Sequence, residues 1–158
     1  MTEWRMKFEP VLTPVLRTWW RMRRSMTLGV RGVACDAQGR ILLVRHGYAK
    51  GWHLPGGGVE RLESAPQAVI REMAEEGGVA CEDDPTLLGF YANHAYFPND
   101  HIALYRVERW RACSPRAAAR EIAERAFFPV DALPDEATPG TRRRVAEIFH
   151  GAPMSPRW

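Results

Sequence analysis

Residues 51–79 read GWHLPGGGVERLESAPQAVIREMAEEGGV, and this stretch holds the densest set of residues able to do chemistry. Glu72, Glu75 and Glu76 stand at i, i+3 and i+4, the spacing that places side chains on one face of a helix. Val69, Ile70, Met73 and Ala74 fall on the opposite arc, towards a core. Carboxylates so spaced repel one another by roughly a few tenths of a kcal/mol per pair even when exposed. A divalent cation relieves that repulsion, and clustered carboxylate oxygens are what a hard ion such as Mg²⁺ or Mn²⁺ prefers. The glycines at 56, 57 and 58 precede this helix and permit close approach of backbone to a ligand or metal. No Lys-Ser/Thr follows them, so they are not a Walker A loop. At this level a plain loop leading into a solvated acidic helix is still an alternative.

The flanking elements must position these groups. Ser64 followed by Gln67 is a capping box, Pro66 is tolerated in a first turn, and Gly77-Gly78 ends the helix. Upstream, 27–35 and 40–45 are β-rich and flank a turn at 36–39, which predicts a β-hairpin. A loop follows over 46–51, then a short extended piece stopped by Pro55. Downstream, 86–95 and 102–110 read as two strands. Residues 111–120 read as a loop with a helical turn, 126–130 as a short strand and 131–133 as a helical turn. Thr138-Pro139 starts a helix that should reach Phe149, burying Val145, Ile148 and Phe149, before Gly151. Over 10–26, Leu12, Val15, Leu16, Trp19, Met22 and Met26 recur at helical spacing. That helix is expected to pack on the domain or on a dimer partner, with a membrane-surface role as the alternative for so basic and Trp-rich a segment. The order predicts an α/β (α+β) domain, a mixed sheet covered by helices on two faces.

At 158 residues the chain is one ordinary domain. No run approaches the roughly 18 apolar residues of a membrane span. Its 22 Lys and Arg nearly balance 19 Asp and Glu, which argues against a general nucleic-acid binder. Nearly all the bases are arginine, whose planar fork suits phosphate oxygens. Three distant cysteines, Cys35, Cys81 and Cys113, suggest free thiols in a reducing compartment. Pro10, Pro14 and Arg17 interrupt the early apolar residues, so no signal peptide is read and a cytoplasmic location is expected.

The joint pattern is more specific than its parts. Gly57, five residues, Glu63, seven residues, Arg71-Glu72-Met73, one residue, Glu75-Glu76, one residue, Gly78-Val79 resembles the Nudix box at every defined position. The lead-in Trp52-x-Leu54-Pro55 and the late Phe127-Phe128-Pro129-x-Asp131-x-Leu133-Pro134 are similar to Nudix hydrolases too. The resemblance covers about 27–150, leaving 1–26 as an N-terminal extension and 151–158 as a loose tail. It implies an α/β/α sandwich with a central mixed β-sheet. It also implies Mg²⁺- or Mn²⁺-dependent cleavage of a nucleoside diphosphate linked to another group, by water attack at phosphorus. Carried over by position, Glu72, Glu75, Glu76 and the Gly56 carbonyl would be metal ligands. Glu63 and Arg71 would be structural, the arginine bridging carboxylates, with Glu63 also near a second metal. The general base would be a box glutamate such as Glu72 or Glu76, or a later acid, with Glu121 first and Asp100 second. Two positions depart from common usage: Leu62 stands where Gly often precedes the first box glutamate, and Gly77 where a Thr-like residue is frequent.

The substrate is less legible. Arg45, Tyr48, Trp52 and Tyr96 are the substrate-binding candidates, with His94 and Phe97 nearby for stacking on a base and Arg31 and Lys50 for phosphates. A core or rim position is the plain alternative for each aromatic, and a solvated face for each base. NDP-sugars, ADP-ribose, dinucleoside polyphosphates and nucleoside triphosphates all stay open, with a small nucleotide as partner and a monomer or homodimer as assembly. Three other classes compete. Arg45-His46-Gly47 looks like the triplet of histidine phosphatases, with His46 as nucleophile. A non-catalytic nucleotide-binding module would use the same scaffold. Action on nucleic acid would want a one-sided basic groove.

Overall fold

The computed structural model describes residues 26–95, 97–114 and 122–158. The helix expected over 10–26 falls almost wholly outside them. The elements run β1 (Thr27–Ala34), β2 (Ile41–His46), α1 (Ala65–Glu75), β3 (Val79–Cys81), β4 (Thr86–Ala92), β5 (Asp100–Val107), β6 (Trp110–Ala112), β7 (Ile122–Phe128) and α2 (Pro139–Phe149). β1, β5 and β4 form one sheet in that order, with β1 parallel and β4 antiparallel to β5. β2 pairs antiparallel with β7, and β3 with β6. The fold is α+β with a central mixed sheet, as the sequence predicts.

Strand alternation divides the core in two. Val30, Ala34, Leu42, Ala103, Tyr105 and Val107 pack with Ala68, Val69 and Met73 of α1. Val33, Ile41, Leu43 and Leu104 turn the other way, towards Trp52, Leu54, Tyr91 and Val145 of α2. α1 starts at Ser64, whose backbone N–H donates to Gln67 Oε1 at 2.9 Å. It is stopped by Gly78, in the left-handed region at φ 66°. Full burial of Val69 and Met73 is worth roughly 1.5–3 kcal/mol each, so the apolar arc fixes which way the acidic face points.

Three expectations are corrected. The turn at 36–39 closes, with the Gly39 N–H donating to the Asp36 carbonyl at 2.9 Å. Yet β1 and β2 do not form a hairpin and share only the isolated bridge Cys35–Ile41. The edge of β1 that a hairpin would use is taken by the glycine loop. Val30 N–H donates to the Gly57 carbonyl, Gly32 N–H to that of Pro55, and Val59 N–H to that of Leu28, at 2.8, 2.9 and 2.9 Å. Second, the strand expected over 126–130 starts earlier and runs longer, because β7 zips along the whole of β2. The loop expected over 111–120 likewise opens as the end of β6.

Third, the tail is docked. Ala92 N–H donates to the Pro156 carbonyl at 2.9 Å, and Trp158 N–H to the Ala92 carbonyl at 3.0 Å. The Trp158 ring meets Tyr91 edge-on at 5.6 Å. The reason is Arg144, at 0% exposure on the inner face of α2. Its guanidinium lies 3.9 Å over the Tyr91 ring, pairs with Glu147, and donates to the Arg157 carbonyl at 3.2 Å. A buried arginine needs such partners, and the tail supplies one of them. Val145 is buried as expected, while Ile148 and Phe149 are half-buried. Cys35, Cys81 and Cys113 are free thiols. Among the described residues no helix is long and apolar enough to cross a membrane.

Candidate active site

The site forms where the glycine loop, strapped to β1, meets the acidic face of α1. Gly56 sits at φ 143°, and a Cβ there would come within 2.1 Å of the Val30 carbonyl oxygen. Only glycine lets the loop lie this close to the strand. A Cβ on Gly57 would fall 2.5 Å from Glu72 Oε1, so the second glycine makes room for a carboxylate. Gly58 faces open space.

Arg71 is the hub. Its Nε and Nη2 donate to Glu63 Oε1 and Oε2 at 2.9 and 3.0 Å, a bidentate pair. Nη2 also donates to the Gly58 carbonyl at 3.1 Å, and Nη1 to Glu72 Oε1 at 2.7 Å and Glu75 Oε2 at 3.4 Å. Glu76 faces the loop, with Oε2 accepting from Gly56 N–H at 2.8 Å. The arginine, paired with Glu63, thus ties loop to helix. Burial raises the Glu72 carboxyl above its usual range, partly offset by Arg71 and worsened by Glu75. The hydrogen bonds from Arg71 hold Glu63 below that range.

Other expected residues scatter. His46 is buried, with Nδ1 3.7 Å from Glu76 Oε1. Burial, with Arg31 and His53 nearby, lowers it to about 4, so the ring is neutral near pH 7 and packs at 5.1 Å against Tyr48. Tyr48 is 73% exposed on the rim. Arg45 pairs with Glu124 at 2.5 Å and lies 5.7 Å from the Trp52 ring centre. With Lys50 and Glu136 it lines a cavity of about 730 Å³ beside His46. Trp52 is corrected: its ring is in the α2-side core, edge-on to Phe128 at 4.8 Å, and cannot stack on a base. Asp100 accepts from Thr27 Oγ1 at 2.6 Å and from Asn93 Nδ2 at 2.7 Å, so both its oxygens are engaged. Glu121 and Tyr96 lie outside the described residues.

Sequence reading undervalued Arg31, treating it as a phosphate contact or a solvated base. It comes from β1 and lies beneath the glycine loop. Nη1 donates to the Gly56 carbonyl and, at 3.1 Å, to the Leu54 carbonyl. The available signal was a charge set between Val30 and Gly32 in an otherwise uncharged strand.

The donor set suits a hard divalent cation: all oxygens, one of them on a carboxylate whose burial disfavours its lone charge. Among the described residues no three His, Cys, Asp or Glu side chains are arranged to hold a metal by themselves. Backbone, water or substrate oxygens would complete such a shell.

The family model for the NUDIX domain matches residues 26–148. The chain belongs to that family. An RNA pyrophosphohydrolase from Teredinibacter turnerae is 42% identical over 52 residues, 32% of this chain and 30% of the relative. A MutT-like protein from Streptomyces ambofaciens is 39% identical over 67 residues, 42% and 43% of the two chains. The chain thus spans less than half the length of these curated relatives. A solved MutT NUDIX hydrolase from Burkholderia pseudomallei superposes with a TM-score of 0.66 at 29% identity, over 79% of this chain and 99% of that one.

Proposed function

We propose that the protein is a divalent-cation-dependent pyrophosphohydrolase, cleaving the P–O–P link of a nucleoside diphosphate joined to another group by attack of water on phosphorus. The observation that carries this reading is the Arg71 clamp, which gathers Glu63, Glu72 and Glu75 against a loop whose Gly56 is held by Glu76. Glu72, Glu75, Glu76 and the Gly56 carbonyl would hold the cation. Bound there, a divalent cation supplies charge neutralisation to the phosphates and acidifies water.

The chain's own residues do the rest. Arg71 holds three carboxylates aimed together. A glutamate of the helix face, Glu72 or Glu76, takes the proton from water, with Glu121 the later-loop candidate. Asp100, with both oxygens committed to Thr27 and Asn93, fits a scaffold role better than that of base. The buried, neutral His46 has its Nδ1 3.7 Å from Glu76 Oε1 without a hydrogen bond, and it lacks the exposure a nucleophile needs.

The substrate is a small anionic nucleotide in this reading. A panel of NDP-sugars, ADP-ribose, dinucleoside polyphosphates, nucleoside triphosphates and a 5′-triphosphorylated oligoribonucleotide, each with Mg²⁺ or Mn²⁺, tests it. The oligoribonucleotide belongs there because several relatives are named RNA pyrophosphohydrolases. Glu76→Gln is expected to lower turnover at least about 100-fold with an unchanged circular dichroism spectrum, a loss of nearly 3 kcal/mol of transition-state stabilisation. Undiminished turnover would remove Glu76 from the metal set.

A further inference from the structure

Arg31 is an arginine inside a site expected to attract cations. Its guanidinium donates to the carbonyl of Gly56, which the proposed metal set also claims, and to that of Leu54. Glu76 and Glu72 are the acidic groups that favour its charge most, with Tyr48 and Asp100 after them. It also lines a cavity of about 400 Å³ with Gly57, Gly58, Asn93, Phe97 and Asp100. One side chain therefore touches both the carbonyl at the metal position and the space beside the loop. A carbonyl oxygen has two lone pairs, but two cations drawn to the same one oppose each other, since like charges a few ångströms apart in a partly buried site repel by several kcal/mol. Arginine is a good switch between the two places, because its fork binds carbonyls and phosphate oxygens alike.

We propose that Arg31 is the built-in counter-ion of this site: it competes with the divalent cation for the Gly56 carbonyl and, once displaced, turns into the adjoining cavity to hold substrate phosphate. The inference rests on the metal reading above. It makes Arg31 a positioning residue for the loop and a phosphate ligand for the substrate. Cation and phosphate then bind with positive coupling, because each favours the same position of Arg31.

The test is calorimetric titration of the full chain with Mn²⁺ alone, then with inorganic pyrophosphate in saturating Mn²⁺, for the native protein, Arg31→Met, Arg31→Lys and Glu76→Gln. Arg31→Met is expected to bind Mn²⁺ about fivefold tighter or more, the low end of typical coupling between sites, and pyrophosphate about tenfold weaker. Arg31→Lys keeps the charge without the fork and is expected to restore Mn²⁺ affinity largely and pyrophosphate affinity in part. Should Arg31→Met fail to fold, the Lys variant decides alone, by a pyrophosphate loss of about threefold with Mn²⁺ affinity within about twofold of native. Native protein that binds Mn²⁺ through Glu76, with both constants unmoved in the Arg31 variants, overturns this inference alone. Native protein that takes up no Mn²⁺, like Glu76→Gln, overturns the metal reading and this inference with it.

Discussion

At the scale of the residue, the box positions differ in what they protect. Gly57 and Gly58 are neighbours with opposite surroundings. Gly57→Ala places a methyl 2.5 Å from Glu72 Oε1, the far end of a side chain that can shift, whereas Gly58→Ala meets nothing within 4 Å. Gly57→Ala is therefore expected to weaken Mn²⁺ binding about 10- to 100-fold, the usual cost of disturbing a ligand's support. Gly58→Ala should leave it unchanged, and titration of both variants checks the contrast. Leu62 is an opposite case. It holds φ 67° while its side chain is 97% exposed, so the backbone is strained and the side chain gains nothing by burial. A left-handed residue of this kind costs about 1–2 kcal/mol, partly offset by the greater freedom of an unfolded glycine, about 0.5–1 kcal/mol. Leu62→Gly is expected to stabilise the protein by up to about 1 kcal/mol in urea unfolding. This is the physical sense of the glycine frequent at that position, and the sequence alone marked only a departure. Gly77 is explained too: a Cβ there would lie 2.7 Å from the Met73 carbonyl oxygen, so the helix end requires the glycine.

At the scale of the element, α1 and the glycine loop are registered by β1, which presents its backbone to one and its inner face to the other. Gly32 faces the helix, and a Cβ there would be 2.3 Å from Met73 Sδ and 3.2 Å from Val69 Cγ2. Gly32→Ala is expected to cost about 1–3 kcal/mol by overpacking, read as a fall in the urea midpoint. Because α1 carries the glutamates, the same variant should also lower turnover without touching any site residue. The helices were legible in advance because capping and periodicity are local. Thr138 accepts from Thr141 N–H at 3.3 Å as an N-cap, and α2 ends as predicted at Phe149. Strand partners were not legible. The choice between β2 and the 55–59 loop at the edge of β1 is decided by long-range pairing, which no local pattern encodes.

At the scale of the whole molecule, the two cores are held by long-range contacts, and their titratable members make stability depend on pH. Tyr105 is buried under α1, and burial raises its phenol above the ordinary value near 10. The unfolded chain releases that proton first, so the stability it contributes is complete below about pH 10 and is lost as pH rises further. Tyr105→Phe is expected to flatten the alkaline limb of the thermal-unfolding profile, and melting between pH 8 and 11.5 checks this. The sequence by itself determined the chemistry available. Its spacing put Glu72, Glu75 and Glu76 on one helix face, because helical geometry is a property of a dozen consecutive residues. Only the tertiary structure decided that Trp52 is core, that Arg144 draws the tail onto Ala92, and that Arg31 reaches the Gly56 carbonyl. Each depends on partners 13 or more residues away, as with Arg31 and Gly56, which are 25 apart. Such a meeting is set by how strands pair and pack, and no short window of sequence contains it.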